Sequence, residues 1–351
     1  MDKKMTVDDL INMEGSKVPT DAKSYSMLVY ADAKRGKTSL VHELYGEKVL
    51  FIASELRHSH LPNVHVVNIN SYPEYLKIMK MLKDDRLKEK YDAVCIDTLG
   101  RVEDFIREYV LSKLNIDDLG DLAYGAAYAE FNKELERALR LIEHSGYTPI
   151  FIAHSKSETK QVLVEHASED EKNSDVAKVV RNKADGKEYV EYTKQVPDLR
   201  EKFYNMVNRV VDNVLYLDST VDDNGKEHRR IFYRDTPHHV AGASFKNMPE
   251  WTEQSAEAYE KAMKDAINSI DSNNLEEGSR EQSQGVKYDF KELMGEVARL
   301  GKDLQDKGKT NVLTQTVEDV LGKGKKVKDL QPNQVELLSV LVDRLKEVEQ
   351  D

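Results

Sequence analysis

The first half of the chain alternates between short apolar runs and stretches in which apolar residues recur with helical spacing. The apolar runs are rich in strand-forming residues and predict strands at 24–30, 48–53, 65–69, 91–96 and 149–153. The amphipathic stretches predict helices at 37–45, 73–82, 102–114 and 124–144. Strands that alternate with helices form a parallel sheet with helices on both faces. The pattern therefore predicts an α/β fold with a mostly parallel, twisted sheet.

The pattern changes after residue 155. Residues 156–196 are rich in charge and contain two short strand patterns, at 161–165 and 188–192. A segment of this length inside a compact domain is usually functional or disordered, and we expect either a charged loop or a hairpin. The rest of the core is predicted as a helix, two strands joined by an Asn-Gly turn, and a helix, at 203–211, 213–217, 229–234 and 253–270.

Composition divides the 351 residues into four parts. They are a polar lead-in, an α/β core, a polar linker and a C-terminal module, at 1–23, 24–270, 271–286 and 287–351. The module has three helical patterns, at 289–306, 314–321 and 333–348. A module of this size is near the lower limit for independent folding. We expect a small all-α bundle attached to the larger core.

The balance of charge restricts the partners. The chain has 52 Lys and Arg against 64 Asp and Glu, which gives a net charge of −12. A protein that binds nucleic acid over a broad face is normally basic, so any such contact here must come from a local basic patch. Cys95, the single cysteine, excludes a disulfide framework and a cysteine-based zinc site. No run has the length of a signal-peptide core or a membrane helix, which predicts a cytoplasmic protein without a membrane partner.

One segment has the spacing of a phosphate-binding Walker A loop. It runs from Ala31 to Thr38, ADAKRGKT, after a predicted strand and into a predicted helix, with alanine where the first glycine usually stands. Gly36 would supply the turn, Lys37 would reach the β- and γ-phosphates, and Thr38 would offer its hydroxyl to Mg²⁺. The alternative is a chance Gly-Lys-Thr at a helix start, and the flanking strand and helix argue against it. The predicted nucleotide-binding residues are Ala31, Asp32, Ala33, Lys34, Arg35, Gly36, Lys37, Thr38 and Ser39.

Three polar residues end other predicted strands, where open α/β sheets place their ligand groups. Asp97 would hold Mg²⁺ together with Thr38, and it is also placed to cap the following helix. Glu55 would orient or deprotonate an attacking water, unless it is a solvated loop residue. His154, with Ser155 directly after it, would sense the γ-phosphate and pass its state to the loop that follows, unless the histidine is only hydrogen-bonded. Together with the phosphate loop, these residues predict an ATPase that depends on ATP and Mg²⁺.

Four stretches of the sequence together resemble a known family. They are LVYADAKRGKTSL, KVLFIASE, YDAVCIDT and the run from YGAAY to IFIAHSKSE, at 28–40, 48–55, 91–98 and 124–158. A fifth stretch, at 229–249, is similar to the closing strands of the same family. In these stretches the chain resembles the RecA-like ATPases of bacteriophages that accompany single-strand annealing recombination, the Sak-four group. The resemblance covers about residues 20–270 and implies a RecA-like P-loop core.

The resemblance implies roles for several residues. Glu55 stands where the family's water-activating glutamate ends its strand, and His154 stands where a polar residue couples the nucleotide to a DNA-binding loop. That loop would be 156–196, although its first half is acidic and a solvated hairpin is the alternative. Lys246 matches a lysine that reaches the γ-phosphate of a neighbouring subunit, but the segment ASFKN lacks the arginine that usually follows. The basic candidates for DNA contact are Lys178, Arg181, Lys183 and Lys187.

These inferences favour an ATP-hydrolysing, RecA-like phage recombination protein. It would bind single-stranded DNA, act with an annealing or single-strand-binding protein, and form a homo-oligomer in the host cell cytoplasm. One alternative is a nucleotide-dependent adaptor or loader that recruits a replication or recombination protein through residues 287–351. Another is an NTP-driven motor such as a replicative helicase. An accessory bundle without chemistry is the simplest interpretation of the C-terminal module itself.

Overall fold

The computed structural model describes residues 7, 11, 12, 15–55, 61–182, 184–221, 224–279, 289–322 and 324–350. The chain forms two compact units, Met1–Ser283 and Gln284–Asp351. Parts of the predicted lead-in, loop and linker lie outside the described residues, namely 1–6, 8–10, 13–14, Lys183 and 280–286. None of the helices in the described part of the chain is both long and apolar enough to cross a lipid bilayer.

The larger unit has a central sheet covered by helices, and its first and last strands form a separate two-stranded sheet. Its strands are β1 Val18–Pro19, β2 Met27–Ala31, β3 Val49–Ala53, β4 His65–Asn68, β5 Ala93–Asp97, β6 Thr148–Leu163, β7 Ala177–Arg181, β8 Glu188–Pro197, β9 Asn213–Val221, β10 Glu227–Phe232, β11 Gly242–Ala243, β12 Trp251–Glu253 and β13 Leu275–Glu276. Its helices are α1 Lys37–Tyr45, α2 Tyr72–Met81, α3 Asp85–Lys90, α4 Leu99–Leu114, α5 Ala126–Glu143, α6 Glu169–Asn173, α7 Glu201–Val210 and α8 Ala256–Asn268.

The main path of the central sheet has the order β12-β10-β9-β2-β6-β5-β3-β4. The strands from β9 to β4 along this path are all parallel, while β10 and β12 run antiparallel at one edge. The predicted α/β fold with a mostly parallel sheet is thereby confirmed. Strand β6 lies between β2 and β5, so the strand that leads into the phosphate loop and the strand that ends at Asp97 are not neighbours.

The strands of this sheet are apolar throughout because both of their faces are buried. In β2, Leu28 and Tyr30 face one core, while Met27, Val29 and Ala31 face the other. Helices α2, α4, α5 and α7 cover the first core, and helices α1 and α8 cover the second. The carboxyl ends of β2, β3, β5 and the buried part of β6 therefore meet at one edge of a rigid sheet.

The prediction that the fifth strand ends at residue 153 is wrong. Strand β6 continues to Leu163, and its outer half pairs with β8 in antiparallel register from Ser155 opposite Pro197 to Leu163 opposite Tyr189. Strand β7 adds a third strand along β8. Residues 156–196, called the charged hairpin below, thus form an antiparallel ribbon, so the hairpin alternative is correct and the predicted strands at 161–165 and 188–192 are too short.

The charged hairpin has a small apolar cluster of its own. Ala167, Val190 and Tyr192 are buried, and Val162, Val164 and Ala177 pack against them. Charged residues interrupt the apolar positions in all three strands, which hides the two-residue period in the sequence. The cluster explains why a segment this polar folds as a ribbon.

Two other predicted boundaries in the larger unit are corrected. The first strand begins at Met27, because Ser24 ends a 3₁₀ turn whose N-cap is Asp21. The helix predicted from residue 253 begins at Ala256, where Ser255 accepts the N-cap hydrogen bond from Ala258 N at 3.1 Å and the preceding residues form edge strand β12.

The smaller unit is a bundle of three helices, α9 Phe290–Asp306, α10 Thr310–Leu321 and α11 Val335–Gln350. Helix α10 starts four residues earlier than its apolar pattern predicts, at Thr310 instead of residue 314. The unit has a separate core, made of Val297, Leu300, Leu304, Leu321, Leu338, Leu341, Val342 and Leu345.

Candidate nucleotide-binding site

The phosphate loop joins the buried end of β2 to the first residue of α1. It turns through two residues in the left-handed region, Lys34 with φ 66° and Gly36 with φ 81°. The Nε2 of Gln254 donates a hydrogen bond to the carbonyl of Arg35 at 2.8 Å. A Cβ at position 36 would lie 2.7 Å from that same Nε2. The sequence therefore needs glycine at this position for its backbone conformation, and a side chain here would also displace the Gln254 amide.

Lys37 is buried inside the loop that it follows. Its Nζ donates hydrogen bonds to the carbonyls of Ala31 and Asp32, each at 2.9 Å. The N-cap residue of α1 is Gly36, which has no side chain to cap the helix, so the first N–H groups of the helix remain available to an anion. A buried ammonium next to an uncapped helix N-terminus fits the phosphates of a nucleotide.

Thr38 and Asp97 meet across the width of β6. The hydroxyl of Thr38 donates to Oδ2 of Asp97 at 2.8 Å, and Asp97 is buried with 7% of its surface exposed. The N-cap residue of α4 is Thr98, so Asp97 does not have the capping role that the sequence left open. Hydroxyl and carboxylate oxygens are the ligands that Mg²⁺ prefers, and this pair fits such an ion.

Glu55 and His154 face each other at the same edge of the sheet. Oε1 of Glu55 lies 3.4 Å from Nε2 of His154. Both line a pocket of about 300 Å³ together with residues of the phosphate loop and the end of β5. The lining residues are Lys34, Gly36, Lys37, Thr38, Ser39, Glu55, Asp97, Thr98, His154 and Arg229. The structure thus brings together eight of the residues that the sequence predicted for this site, and their roles remain predictions.

The other predicted residues lie around this pocket and do not line it. Ala31 and Asp32 contribute carbonyls to Lys37, and Ala33 lies in the same turn. The Arg35 guanidinium donates to Ser219 and, at 3.3 Å, to Glu227. Arg35 therefore binds the loop to strands β9 and β10 and does not line the pocket.

Lys246 lies outside the pocket as well. It is exposed in the segment that follows β11, and it forms no ion pair with any described residue. Its action on the site of a neighbouring copy stays a prediction.

Arg229 is a pocket residue that the sequence reasoning missed. It lies in β10, opposite Ser219 in β9. Ile231, two residues further along the strand, is buried in the core under α1. Because side chains in a strand alternate between two faces, residue 229 shares the face of residue 231. Alternation within the predicted strand at 229–234 was therefore the signal that would have placed Arg229 beside the phosphate loop.

Glu103 is a second residue that the sequence did not single out. It lies in α4 with 6% of its surface exposed, and burial raises the pKa of its carboxyl to about 7. Its Oε2 accepts a hydrogen bond from the backbone N of Arg200 at 3.2 Å. It lines a second pocket of about 280 Å³, which shares Glu55 and His154 with the first. Glu103 thus ties the chain just after β8 to the helix that follows Asp97.

Most cations of the charged hairpin are engaged by neighbouring acids. Lys178 pairs with Glu191 at 2.8 Å, and further pairs join Lys156, Lys160, Lys172 and Lys194 to nearby carboxylates. Arg181 donates from Nε to the carbonyl of Gly186 at 3.1 Å. Within the described residues, Arg181 and Lys187 form no ion pair. Of the predicted DNA contacts, these two are therefore the most accessible to a phosphate.

Comparison with known proteins gives a similar prophage protein and a matching domain family. The chain is 25% identical over 360 residues to the SPbeta prophage-derived uncharacterized protein YorG of Bacillus subtilis (strain 168), an alignment that spans 97% of this chain and 98% of that protein. Residues 23–245, which include the phosphate loop, Glu55, Asp97 and His154, match the AAA domain. Domains of this kind bind a nucleotide, typically with Mg²⁺, at a P-loop. This chain belongs to the AAA domain family.

Proposed function

We propose that this chain hydrolyses ATP at the candidate site and acts on single-stranded DNA as a phage-encoded, RecA-like recombination ATPase of the Sak-four group. The observation that carries the first part is the convergence of Lys37, Thr38, Asp97 and Glu55 on one pocket. Phosphoryl transfer needs a cation for the phosphates, oxygen ligands for a metal ion and a group that positions the attacking water. Lys37, the oxygens of Thr38 and Asp97, and the Glu55 carboxylate are the candidates for these three roles.

The residues of the pocket have separate roles in hydrolysis. Lys37 and the first N–H groups of α1 bind the phosphates, and Thr38 and Asp97 would hold Mg²⁺, which supplies charge neutralisation when bound. Glu55 orients the attacking water and accepts its proton. His154 holds the Glu55 carboxylate in place at 3.4 Å. In a homo-oligomer, Lys246 of a neighbouring copy adds a positive charge at the γ-phosphate.

Two observations support the step from hydrolysis to DNA. The name of the relative YorG describes it as derived from a prophage, which agrees with a phage origin for this chain. Strand β6 carries His154 directly into the charged hairpin, where the resemblance to the Sak-four group places a DNA-binding loop. An annealing or single-strand-binding protein is the partner that this role requires.

The test is ATP hydrolysis by the intact chain, with and without single-stranded DNA. We expect Lys37→Ala and Glu55→Gln to lower the rate at least about 100-fold, because each removes a group that acts on the reacting phosphate or water. Glu47→Gln and Lys48→Ala, in the turn after α1, are the matched controls and should leave the rate unchanged. DNA should raise the rate of the wild type.

The outcomes separate the two parts of the proposal. Full hydrolysis by both site variants would show that turnover does not occur at this pocket. A wild-type rate that DNA leaves unchanged would remove the DNA-dependent part and leave the ATPase intact.

The adaptor function is a second candidate, favoured by the separate core of the C-terminal unit. A bundle of this kind can bind a partner without taking part in hydrolysis. Deletion of residues 284–351 should then leave the rate of hydrolysis unchanged and abolish binding of a replication or recombination protein. Binding that survives the deletion would exclude this candidate.

A further inference from the structure

Ser155 lies at the point where the phosphate loop and the charged hairpin separate. Strands β2 and β6 run side by side until Ala31 pairs with His154. Beyond that pair, the chain after β2 turns into the phosphate loop, while β6 continues outward. Its next residue, Ser155, pairs with Pro197 and begins the ladder between β6 and β8. Ser155 is therefore the residue of β6 that immediately precedes the charged hairpin.

Asp32 connects this position to the phosphate loop. The Ser155 hydroxyl donates a hydrogen bond to Oδ1 of Asp32. The backbone carbonyl of Asp32 accepts a hydrogen bond from Nζ of Lys37 at 2.9 Å. Asp32 is thus bound through its backbone carbonyl to Lys37 and through its side chain to Ser155.

Hydrogen bonds join the two long strands of the hairpin, β6 and β8, where they leave the central sheet. A displacement of β6 at this point therefore also displaces the chain that follows β8. The backbone N of Asp198 donates to the carbonyl of His154 at 2.7 Å. Nζ of Lys156 donates to the carbonyl of Leu199 at 2.8 Å. These bonds join β6 to the chain that follows β8, and the ladder between β6 and β8 continues without a break to Leu163.

We propose that Ser155 is a positioning residue that couples the phosphate loop to the charged hairpin through Asp32. A phosphate at the loop attracts the Lys37 ammonium and competes with its bonds to the carbonyls of Ala31 and Asp32. Asp32 then shifts, and its bond to Ser155 passes the shift into β6. The inference rests on the proposed function, because it requires that a nucleotide binds at this loop.

This coupling differs from the contact between Glu55 and His154. That contact lies at the position of the attacking water and responds to the γ-phosphate. The contact between Asp32 and Ser155 responds to any nucleotide whose phosphates occupy the loop, and it therefore acts with a diphosphate as well as with a triphosphate.

The experiment is hydrogen exchange of the intact chain, measured with and without ADP and a non-hydrolysable ATP analogue. In the wild type, both nucleotides should change exchange in strands β6 and β8 of the hairpin. Ser155→Ala should reduce that change at least about fivefold, the lower end of typical coupling between two sites. Ser155→Thr keeps the hydroxyl and should restore it. Ser157→Ala is the matched control, since Ser157 accepts a hydrogen bond from Gln195 within the hairpin and has no contact with the loop.

Binding of a fluorescent nucleotide to each variant is measured in parallel. If nucleotide binds and Ser155→Ala responds like the wild type, the coupling through Asp32 is refuted. The same follows if Ser155→Thr fails to restore the response, if Ser157→Ala also loses it, or if the wild-type hairpin shows no response to bound nucleotide. If no variant binds nucleotide, the proposed function itself fails.

Discussion

The two halves of strand β6 lie in contrasting surroundings. The inner half is buried between β2 and β5 and ends at the pocket of Lys37, Asp97 and Glu55. The outer half lies in the charged hairpin, where exposed cations pair with neighbouring acids. The first region has a few charged groups, of which Lys37 and Asp97 are buried and Glu55 is partly exposed. The second region has many exposed charges, which neutralise one another locally.

This contrast indicates what each region can do. Buried charged groups have strong, fixed interactions, so the phosphate pocket is suited to one defined reaction. Exposed ion pairs contribute little stability and exchange partners easily. The hairpin is therefore suited to contacts that change, and a polyanion would have to displace its acids. Substitutions should have large effects in the first region and small effects in the second.

The largest effect is expected for Gly36→Ala in the phosphate loop. The left-handed conformation costs alanine about 1–2 kcal/mol. The added Cβ would also push away the Nε2 of Gln254 and with it the hydrogen bond to the Arg35 carbonyl, worth about 0.5–1.5 kcal/mol. The loop should leave its conformation, and nucleotide affinity should fall at least about 10-fold, as measured by titration with a fluorescent nucleotide.

Gly46→Ala, at the other end of α1, is the matched control. Gly46 also has a positive φ of 58°, but a Cβ there would meet no atom within 4 Å. This variant should lose some stability and keep its affinity for nucleotide. Equal loss of affinity in both variants would show that helix stability, and not the shape of the loop, sets binding.

The local parts of the phosphate site could be predicted because their sequence signals are local. Residues Gly36 to Thr38 are contiguous, and the strands that lead to Glu55 and Asp97 contain the uninterrupted apolar runs 49–53 and 93–96. Both faces of the sheet are buried, so each of these strands is visible as an uninterrupted apolar run. The fold class follows from the same runs.

The contacts that hold the site could not be predicted, because they join distant parts of the chain. Asp32 and Ser155 are 123 residues apart, Arg35 and Gln254 are 219 apart, and Glu103 and Arg200 are 97 apart. These pairs depend on strand order, and the insertion of β6 between β2 and β5 has no local signal. The hairpin was uncertain for another reason, since charged residues on both faces hide its period.

The next largest effect is on the pH dependence of stability and concerns Glu103. Its carboxylate joins helix α4, beside the phosphate pocket, to the chain that follows the charged hairpin. Burial raises the pKa of its carboxyl from 4.5 to about 7. Below about pH 4.5 the carboxyl is protonated in the folded and unfolded chains and has no effect on stability. As pH rises to about 7, the unfolded chain ionises first, so the free energy of unfolding of the wild type falls by at most about 3 kcal/mol from this group.

Glu103→Gln should not show this loss, because the amide stays neutral. The free energy of unfolding of the variant, measured by urea denaturation, should therefore rise relative to the wild type between pH 4.5 and 7. Glu108→Gln, on the exposed face of the same helix, serves as the control and should follow the wild type. A constant difference between Glu103→Gln and the wild type across this range would mean that burial does not raise the pKa of Glu103 in the folded chain above its value in the unfolded chain.

The smallest effects are expected when single cations of the hairpin are replaced by alanine. The measurement is the affinity for single-stranded DNA at several salt concentrations. Each phosphate contact that is lost should reduce the magnitude of the slope of log affinity against log salt by about 0.7. We expect this reduction for Arg181→Ala and for Lys187→Ala. Lys178→Ala should change the slope less, because Glu191 already holds its ammonium at 2.8 Å.

Glu191→Gln should increase the affinity for single-stranded DNA instead of lowering it. It therefore also tests whether neighbouring acids keep the hairpin cations from binding phosphate. The pKa of Glu191 lies below its usual value because Lys178 and Gln161 hydrogen-bond to its carboxylate, so the residue is charged at neutral pH. Its removal frees Lys178 for a phosphate, which should raise both the affinity and the magnitude of the slope. Lys202→Ala, in α7 outside the hairpin, should match the wild type. If Glu191→Gln leaves affinity unchanged while Lys178→Ala lowers it, local acids do not limit DNA binding, and the contrast between the two halves of β6 lies in burial alone.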